Sequence, residues 1–203
     1  MAGEILEIAL VARRIEPWDW CGVAATEVGL VSATLAHASE AACVDALRAA
    51  STAARNRSRG AQRLHARRVV EPSTAAAGWS AHQIAGNGLE QLWEYLMTGR
   101  QRLAIPLDRR AGTEFQQRTW DVLRGIPFGE VQSYRWVASE LAKPRATRAV
   151  GTAIGANELL VFIPCHRVVA ARGLGGYSRG LDVKRRLLAH ERAWPRTPPL
   201  FAG

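Results

Sequence analysis

Cys165, His166 and Arg167 stand side by side in the stretch FIPCHRVV (162–169) of a 203-residue chain. A thiolate is the best nucleophile a protein has, but a free thiol, with a pKa of about 8.5, is mostly protonated at neutral pH and needs a base. His166 is the candidate for that base. Such a dyad suits transfer of a group to sulfur, or hydrolysis of acyl substrates by a thiol that turns over. The flanking apolar residues read as a short buried strand that Pro164 breaks just before Cys165. The competing reading is a small buried thiol with two polar neighbours at a strand end. A buried strand gains nothing from adjacent Cys, His and Arg, which favours chemistry.

The rest of the composition narrows the setting. The chain has three cysteines, Cys21, Cys43 and Cys165, an odd number without paired spacing. No disulfide framework follows, and a reducing cytosol is expected. EILEIALVA (4–12) is too short for a membrane span, and the start lacks the basic and small-residue features of a signal peptide. A soluble, cytoplasmic protein is expected. Residues 109–203 hold 16 Arg and Lys against 7 Asp and Glu, a net of +9, whereas 1–108 hold 11 of each. The whole excess lies in the half that carries Cys165, which points to a polyanionic partner, most simply nucleic acid. An arginine-biased composition explains Arg over Lys but not the uneven placement.

These residues need elements to position them. EILEIALVA and CGVAATEVGLVSATLAH (21–37), with Gly29 between apolar runs, read as strands with a hairpin. SEAACVDALRAASTAARN (39–56) reads as a helix with Ser39 as N-cap. Residues 56–86 lack clear periodicity and read as mostly irregular. GLEQLWEYLMTG (88–99) places Leu89, Leu92, Trp93 and Leu96 on one helical face and stops at Gly99. A boundary near IPLDRRAGT (105–113) divides the chain into domains 1–108 and 109–203. Beyond it, Phe115, Thr119, Val122 and Leu123 form the face of a helix ending at Gly125 and Pro127. Ser133 caps a short helix with Tyr134, Val137 and Leu141 on one side. After the turn AKPRA comes the helix TRAVGTAIGAN (147–157), then LLVFI (159–163) as a strand. GLGGYSRG (173–180) is a glycine-rich loop, and Asp182 caps a last helix, VKRRLLAHERAW (183–194).

The short helix, the Lys-Pro turn and the second helix are the parts of a helix-turn-helix. Val150, Ile154 and Asn157 share one face of the second helix, and Arg145, Arg148 and Thr152 another. Around the outward face Ala149, Gly151, Ala153 and Gly155 are tiny, so this backbone suits a close approach to another surface. Helix pairs of this kind more often simply pack than read DNA; the basic charge tips the balance toward DNA.

In PCHRVV (164–169), RAVGTAIGAN (148–157), GTEFQQRTW (112–120), IPFGEVQSY (126–134) and LLAHE (187–191), in this order and spacing, residues 109–203 closely resemble the O6-alkylguanine-DNA alkyltransferases, also called methylated-DNA–protein-cysteine methyltransferases. The first half resembles only the strand-and-helix outline of that family's ribonuclease-H-like domain. The resemblance implies an α/β (α+β) fold: a ribonuclease-H-like N-terminal domain and a mainly helical C-terminal domain with a helix-turn-helix and the active-site cysteine. It implies irreversible transfer of an alkyl group from O6-alkylguanine, and from O4-alkylthymine, in double-stranded DNA to Cys165, once per molecule and without a cofactor. His166 would act through a bridging water, oriented by Glu191, by the logic of a nucleophile–base–orienter triad. Tyr134 would protonate the departing base, and Asn157 would tie the second helix to the active-site strand. Arg148 would fill the gap left by an extruded nucleotide, because a buried thiol cannot reach O6 inside a duplex. The approach would be from the minor groove, with Arg135, Lys143 and Thr152 on the backbone and Gly176, Tyr177 and Ser178 in the substrate loop. A monomer is expected, with cooperation on DNA left open.

Two departures stand out. One residue fewer than in other family members separates Val168-Val169 from the glycine-tyrosine of the loop, which touches the choice of bulky adducts. Cys21, Cys43, His37, His65 and His82 lack zinc-ligand pairing, so no metal is expected. Two other functions stay open on the residues alone. One is a DNA-binding module without catalysis, against which the retained Cys165 argues; the other is a Cys-His thiol hydrolase.

Overall fold

Alternating and continuous apolar runs in the first half become an antiparallel three-stranded sheet in the order β1-β2-β3, formed by Ala9–Arg14 (β1), Trp20–Ala25 (β2) and Leu30–His37 (β3). The computed structural model describes residues 8–61 and 78–193. The start of the expected first strand, at 4–7, lies outside these. It is a mixed α/β protein of two compact units, Met1–Thr113 and Glu114–Gly203.

In the first unit, the expected hairpin joins β2 and β3 through reciprocal Thr26–Gly29 backbone bonds of 3.0 and 3.3 Å. Successive strand side chains point to opposite faces, so unbroken burial from Cys21 to Ala25 means that both faces of β2 are covered. Helices α1 (Glu40–Ala61) and α2 (Ala81–Thr98) both pack on it. Gly22 permits the approach of α1: a Cβ there would lie 2.9 Å from Leu47 Cδ1 and 3.0 Å from Cys43 Sγ. Ser39 caps α1, its Oγ accepting from the Ala42 N–H at 3.2 Å.

The reading of 56–86 as mostly irregular needs correction at both described ends. α1 runs through Ala61, and α2 opens with a capping box between Ser80 and Gln83; residues 62–77 lie outside the described residues. Alanine and glycine in AHQIAGNG carry too little hydrophobic contrast to show a period, yet Ala81, Ile84, Ala85 and Gly88 are buried. α2 ends as expected, at Gly99 in the left-handed region (φ 74°).

The second unit is mainly helical: α3 (Glu114–Arg124), α4 (Tyr134–Glu140), α5 (Thr147–Gly155) and α6 (Leu181–His190). Two-residue strands β4 (Gln132–Ser133) and β5 (Val168–Val169) pair in parallel. Ser133 caps α4 as expected, accepting from the Trp136 N–H at 3.0 Å. α3 buries Thr119, Trp120 and Leu123, with Phe115 and Val122 only half-buried. Trp120 replaces them because its indole N–H reaches the Ala153 carbonyl at 2.9 Å. That contact lies on the inner side of α5, so Ala153 is buried rather than part of the outward small-residue surface.

Two more expectations are corrected. LLVFI is not a strand: Leu159–Ile163 is a buried tight turn, closed by the Ile163 N–H on the Leu159 carbonyl (2.9 Å), with Val161 at φ 73°. An apolar run signals burial, not extension, where no neighbouring strand offers a ladder. Asp182 does not cap α6. Gly180 is the N-cap residue, and the Asp182 carboxylate instead accepts from Arg185 (2.6 Å). The helix stops at His190, where Arg192 turns left-handed (φ 57°) and its N–H closes on the Ala189 carbonyl at 3.0 Å. Trp194 lies outside the described residues.

Candidate active site

The thiol sits at the exit of the buried turn. Asn157, just past α5, donates from Nδ2 to the Ile163 carbonyl (2.9 Å) and to Cys165 Sγ (3.1 Å), while its Oδ1 accepts from the Leu159 N–H (3.0 Å). One side chain thus supplies the polar partners that a strand ladder would have given. Pro164 leads into a 3-10 turn, Cys165–Arg167, whose three side chains are all buried. The Cys165 sulfur lies 4.0 Å from the Tyr177 hydroxyl. Burial pushes the thiol pKa up; hydrogen bonds from Asn157 and Tyr177 and the charge of Lys184 oppose this without overcoming it.

His166, fully buried, places Nε2 2.8 Å from Glu191 Oε1, the residue at the C-terminus of α6. Burial lowers the imidazole pKa despite the carboxylate, so the ring is neutral. A carboxylate only accepts hydrogen bonds, so Nε2 carries the proton and Nδ1 holds a lone pair. Nδ1 is buried and has no hydrogen-bond partner among the described residues. Burial alone would raise the Glu191 carboxyl, but hydrogen bonds from His166 and Arg167 outweigh it and hold it well below the usual range. Gly129, at φ 82°, adds its N–H to Oε2 at 3.3 Å.

Tyr134, the first residue of α4, points its hydroxyl at the Gly176 carbonyl (3.3 Å). Burial and the neighbouring Cys165 raise its pKa. Gly175, at φ 70°, is required there: a Cβ would come 3.0 Å from the Tyr134 ring. Hydrogen bonds thus join Cys165 to Asn157 and Tyr177, His166 to Glu191, and Tyr134 to Gly176. Ser178 is exposed on the same loop. Arg148 and Thr152 are exposed on α5, whereas Arg145, expected on the same helical face, is exposed in the turn that precedes it; Arg135 is exposed on α4, and Lys143 in the turn lies over the Phe115 ring at 5.4 Å. The Thr152 hydroxyl donates back to the Arg148 carbonyl (3.2 Å).

Two residues carry more of the site than the sequence suggested. Arg167 donates to both Glu191 oxygens and to the Ile126 carbonyl (2.6 Å). Lys184 is fully buried, with Nζ 2.6 Å from both the Val168 and Leu174 carbonyls, and burial lowers its pKa to about 8. The available signal was its rarity, since it is one of two lysines in an arginine-rich chain. Among the described residues no group of three or more His, Cys, Asp or Glu is arranged for a metal ion. His65 lies outside them.

Residues 114–193 match the family described as 6-O-methylguanine DNA methyltransferase, DNA binding domain. The methylated-DNA–protein-cysteine methyltransferase of Mycolicibacterium paratuberculosis is 46% identical over 126 residues, 61% of this chain and 74% of that protein. The crystal structure of the Mycobacterium tuberculosis O6-methylguanine methyltransferase is similar with a TM-score of 0.63 and 27% identity, over 94% of this chain and 96% of that one. The Mycobacterium tuberculosis OGT in complex with DNA is similar with a TM-score of 0.50 and 40% identity, over 53% of this chain and 65% of that one.

Proposed function

The chain belongs to the methylated-DNA–protein-cysteine methyltransferase family, and on that premise we propose that it reverses DNA alkylation by taking the alkyl group of O6-alkylguanine onto Cys165. The bond from O6 to the alkyl carbon breaks as the sulfur–carbon bond forms, and the proton lost by the thiol ends on the departing guanine. One observation carries this reading: His166, which follows Cys165 directly in the chain, is paired with the buried Glu191, and its Nδ1 lone pair is unengaged among the described residues.

Glu191 orients the ring, and Nδ1 draws the thiol proton through a bridging water. Burial favours the neutral thiol and neutral imidazole at rest, so thiolate forms as substrate arrives. Asn157 and the Lys184 charge stabilise it. Tyr134 returns a proton to the base ring and is reprotonated from His166, which balances the reaction. A thioether is a poor leaving group, so each molecule acts once. O4-alkylthymine presents the same alkyl-oxygen bond and is the second substrate.

The basic unit engages double-stranded DNA from the minor groove, with α4, its turn and α5 as a helix-turn-helix. Arg148 occupies the stack after base extrusion; Arg135, Lys143 and Thr152 hold the backbone; Gly176, Tyr177 and Ser178 receive the base. The first unit is a ribonuclease-H-like domain, and the protein acts as a cytoplasmic monomer.

The test is incubation with a duplex containing O6-methylguanine, followed by peptide mass mapping. The expected result is methylation at Cys165, saturating at one per protein, and no transfer in Cys165→Ala, which still binds DNA. Methyl on Cys21 or Cys43 overturns the assignment, and multiple turnover points to the thiol hydrolase.

A further inference from the structure

We propose that Trp120 is a positioning residue for alkyl transfer: its indole N–H caps the end of α5 and so leaves Asn157 free to hold the Cys165 sulfur. The inference rests on the alkyl-transfer reading above and adds the residue that sets the sulfur's hydrogen-bond donor in place.

The last carbonyls of a helix have no partner within it. α5 ends at Gly155, and the chain leaves it unevenly. The Ala156 N–H keeps helical spacing and reaches the Thr152 carbonyl at 3.1 Å, but the Asn157 N–H bonds the Ile154 carbonyl at 3.2 Å, the tighter 3-10 spacing. The Ala153 carbonyl, which a continuing helix would have given to the Asn157 N–H, accepts from Trp120 Nε1 at 2.9 Å instead. Trp120, Ala153 and Asn157 are all buried, where an unpaired carbonyl is costly.

This exchange of partners turns the chain out of α5 at Asn157. The Asn157 side chain then bridges from the helix end to the Leu159–Ile163 turn, with Nδ2 2.9 Å from the Ile163 carbonyl and 3.1 Å from Cys165 Sγ. Without the indole N–H, the Asn157 N–H is the donor that helical geometry offers to Ala153. Taking it up would lengthen α5 and draw the Asn157 side chain off the sulfur. α3, which carries Trp120, packs against both α5 and the Cys165–Arg167 turn, so one helix supports both ends of the Asn157–Cys165 contact. The hydrogen bond from Asn157 lowers the thiol pKa against the effect of burial, so its loss leaves less thiolate at a given pH.

The test compares the full wild-type chain with Trp120→Phe and with Trp120 replaced by its benzothiophene isostere, which keeps the ring shape and lacks the N–H. Iodoacetamide labelling of Cys165, mapped by mass across pH 7–10, gives the titration midpoint. The midpoint should rise by about one pH unit in both variants, the size of a lost hydrogen bond to a charged group. Single-turnover methyl transfer from an O6-methylguanine duplex should slow about tenfold, with affinity for unmodified duplex unchanged. Asn157→Ala alone and Asn157→Ala with the isostere should share one midpoint, because Trp120 acts through Asn157. A wild-type midpoint in the isostere variant makes Trp120 a packing residue and overturns the proposal, as does a shift that adds in full to that of Asn157→Ala. The isostere preserves packing, so its midpoint alone decides if Trp120→Phe or Asn157→Ala fails to fold. Labelling needs no alkylated DNA, so absence of methyl transfer by wild type overturns the alkyl-transfer reading and leaves the titration to judge Trp120.

Discussion

Arg167 grips Glu191 in a fork, with Nε 2.9 Å from Oε2 and Nη2 2.8 Å from Oε1, both residues buried. The same carboxylate receives His166, so one anion serves a permanent cation and a neutral ring. Arg167 secures the ionised state, and His166 takes its orientation from what remains.

Removing that anion leaves a buried guanidinium uncompensated. Glu191→Gln should therefore cost about 3–5 kcal/mol of stability, read from urea unfolding of the full chain. Adding Arg167→Met to it should recover part of the loss. If Glu191→Gln alone unfolds like wild type, the fork contributes little and Glu191 serves only His166.

Acid should destabilise the protein in two stages. The His166 pKa is lowered by burial, so below the ordinary value of about 6.5 the unfolded chain takes a proton that the folded one refuses. Stability is thus intact above that pH and falls as pH drops through it. The Glu191 pKa is also lowered, so a second loss begins near about pH 4.3 and deepens toward the folded value. Unfolding midpoints from pH 8 to 3 should show both stages, and His166→Gln should erase the first. A flat profile between pH 7 and 5 in wild type contradicts a neutral buried His166.

The resting thiol should be sluggish. Burial raises the Cys165 pKa, so its alkylation by iodoacetamide should need higher pH than an ordinary thiol at about 8.5. The Lys184 charge opposes that rise, so Lys184→Met should move the curve further alkaline and also loosen the loop whose carbonyls it bonds. Mass mapping at Cys165 across pH 7–10 measures this. A shift toward acid in Lys184→Met would show that loop opening outweighs the charge.

Arg148 is exposed on the side of α5 opposite the buried Val150 and Ile154. If it fills the stack, Arg148→Ala should slow repair in duplex much more than reaction with a single-stranded methylated oligonucleotide. Extrusion costs a few kcal/mol, and about 1.4 kcal/mol is a tenfold rate, so a deficit of about ten- to a hundredfold confined to duplex is expected. A mismatch opposite the damaged guanine should restore part of it. Equal losses on both substrates would place Arg148 in support of the active site.

Much of this protein was legible in its residues. The hairpin needed only apolar runs around Gly29; the caps at Ser39, Ser133 and Gly99 are local chemistry that acts within one turn. The motif around Cys165 and His166 and the net charge confined to 109–203 pointed to a candidate nucleophile, a candidate base and a polyanionic partner, while Glu191 was singled out only by the resemblance of LLAHE to the family. These are properties of short segments and of side-chain type, which sequence carries directly. Tertiary structure decided what depends on distant neighbours. LLVFI became a turn because Asn157, not a strand, satisfies its backbone. Trp120 displaced Phe115 and Val122 from the core because Ala153 offered its indole an acceptor. The Arg167 fork, the Lys184 anchor and the Arg179–Glu158 ion pair join residues 10 to 24 positions apart, and no local pattern announces which charge will be buried against which. Whether a buried cation is tolerated depends on the carbonyls and carboxylates that the fold brings to it, and those exist only once the chain has closed around them.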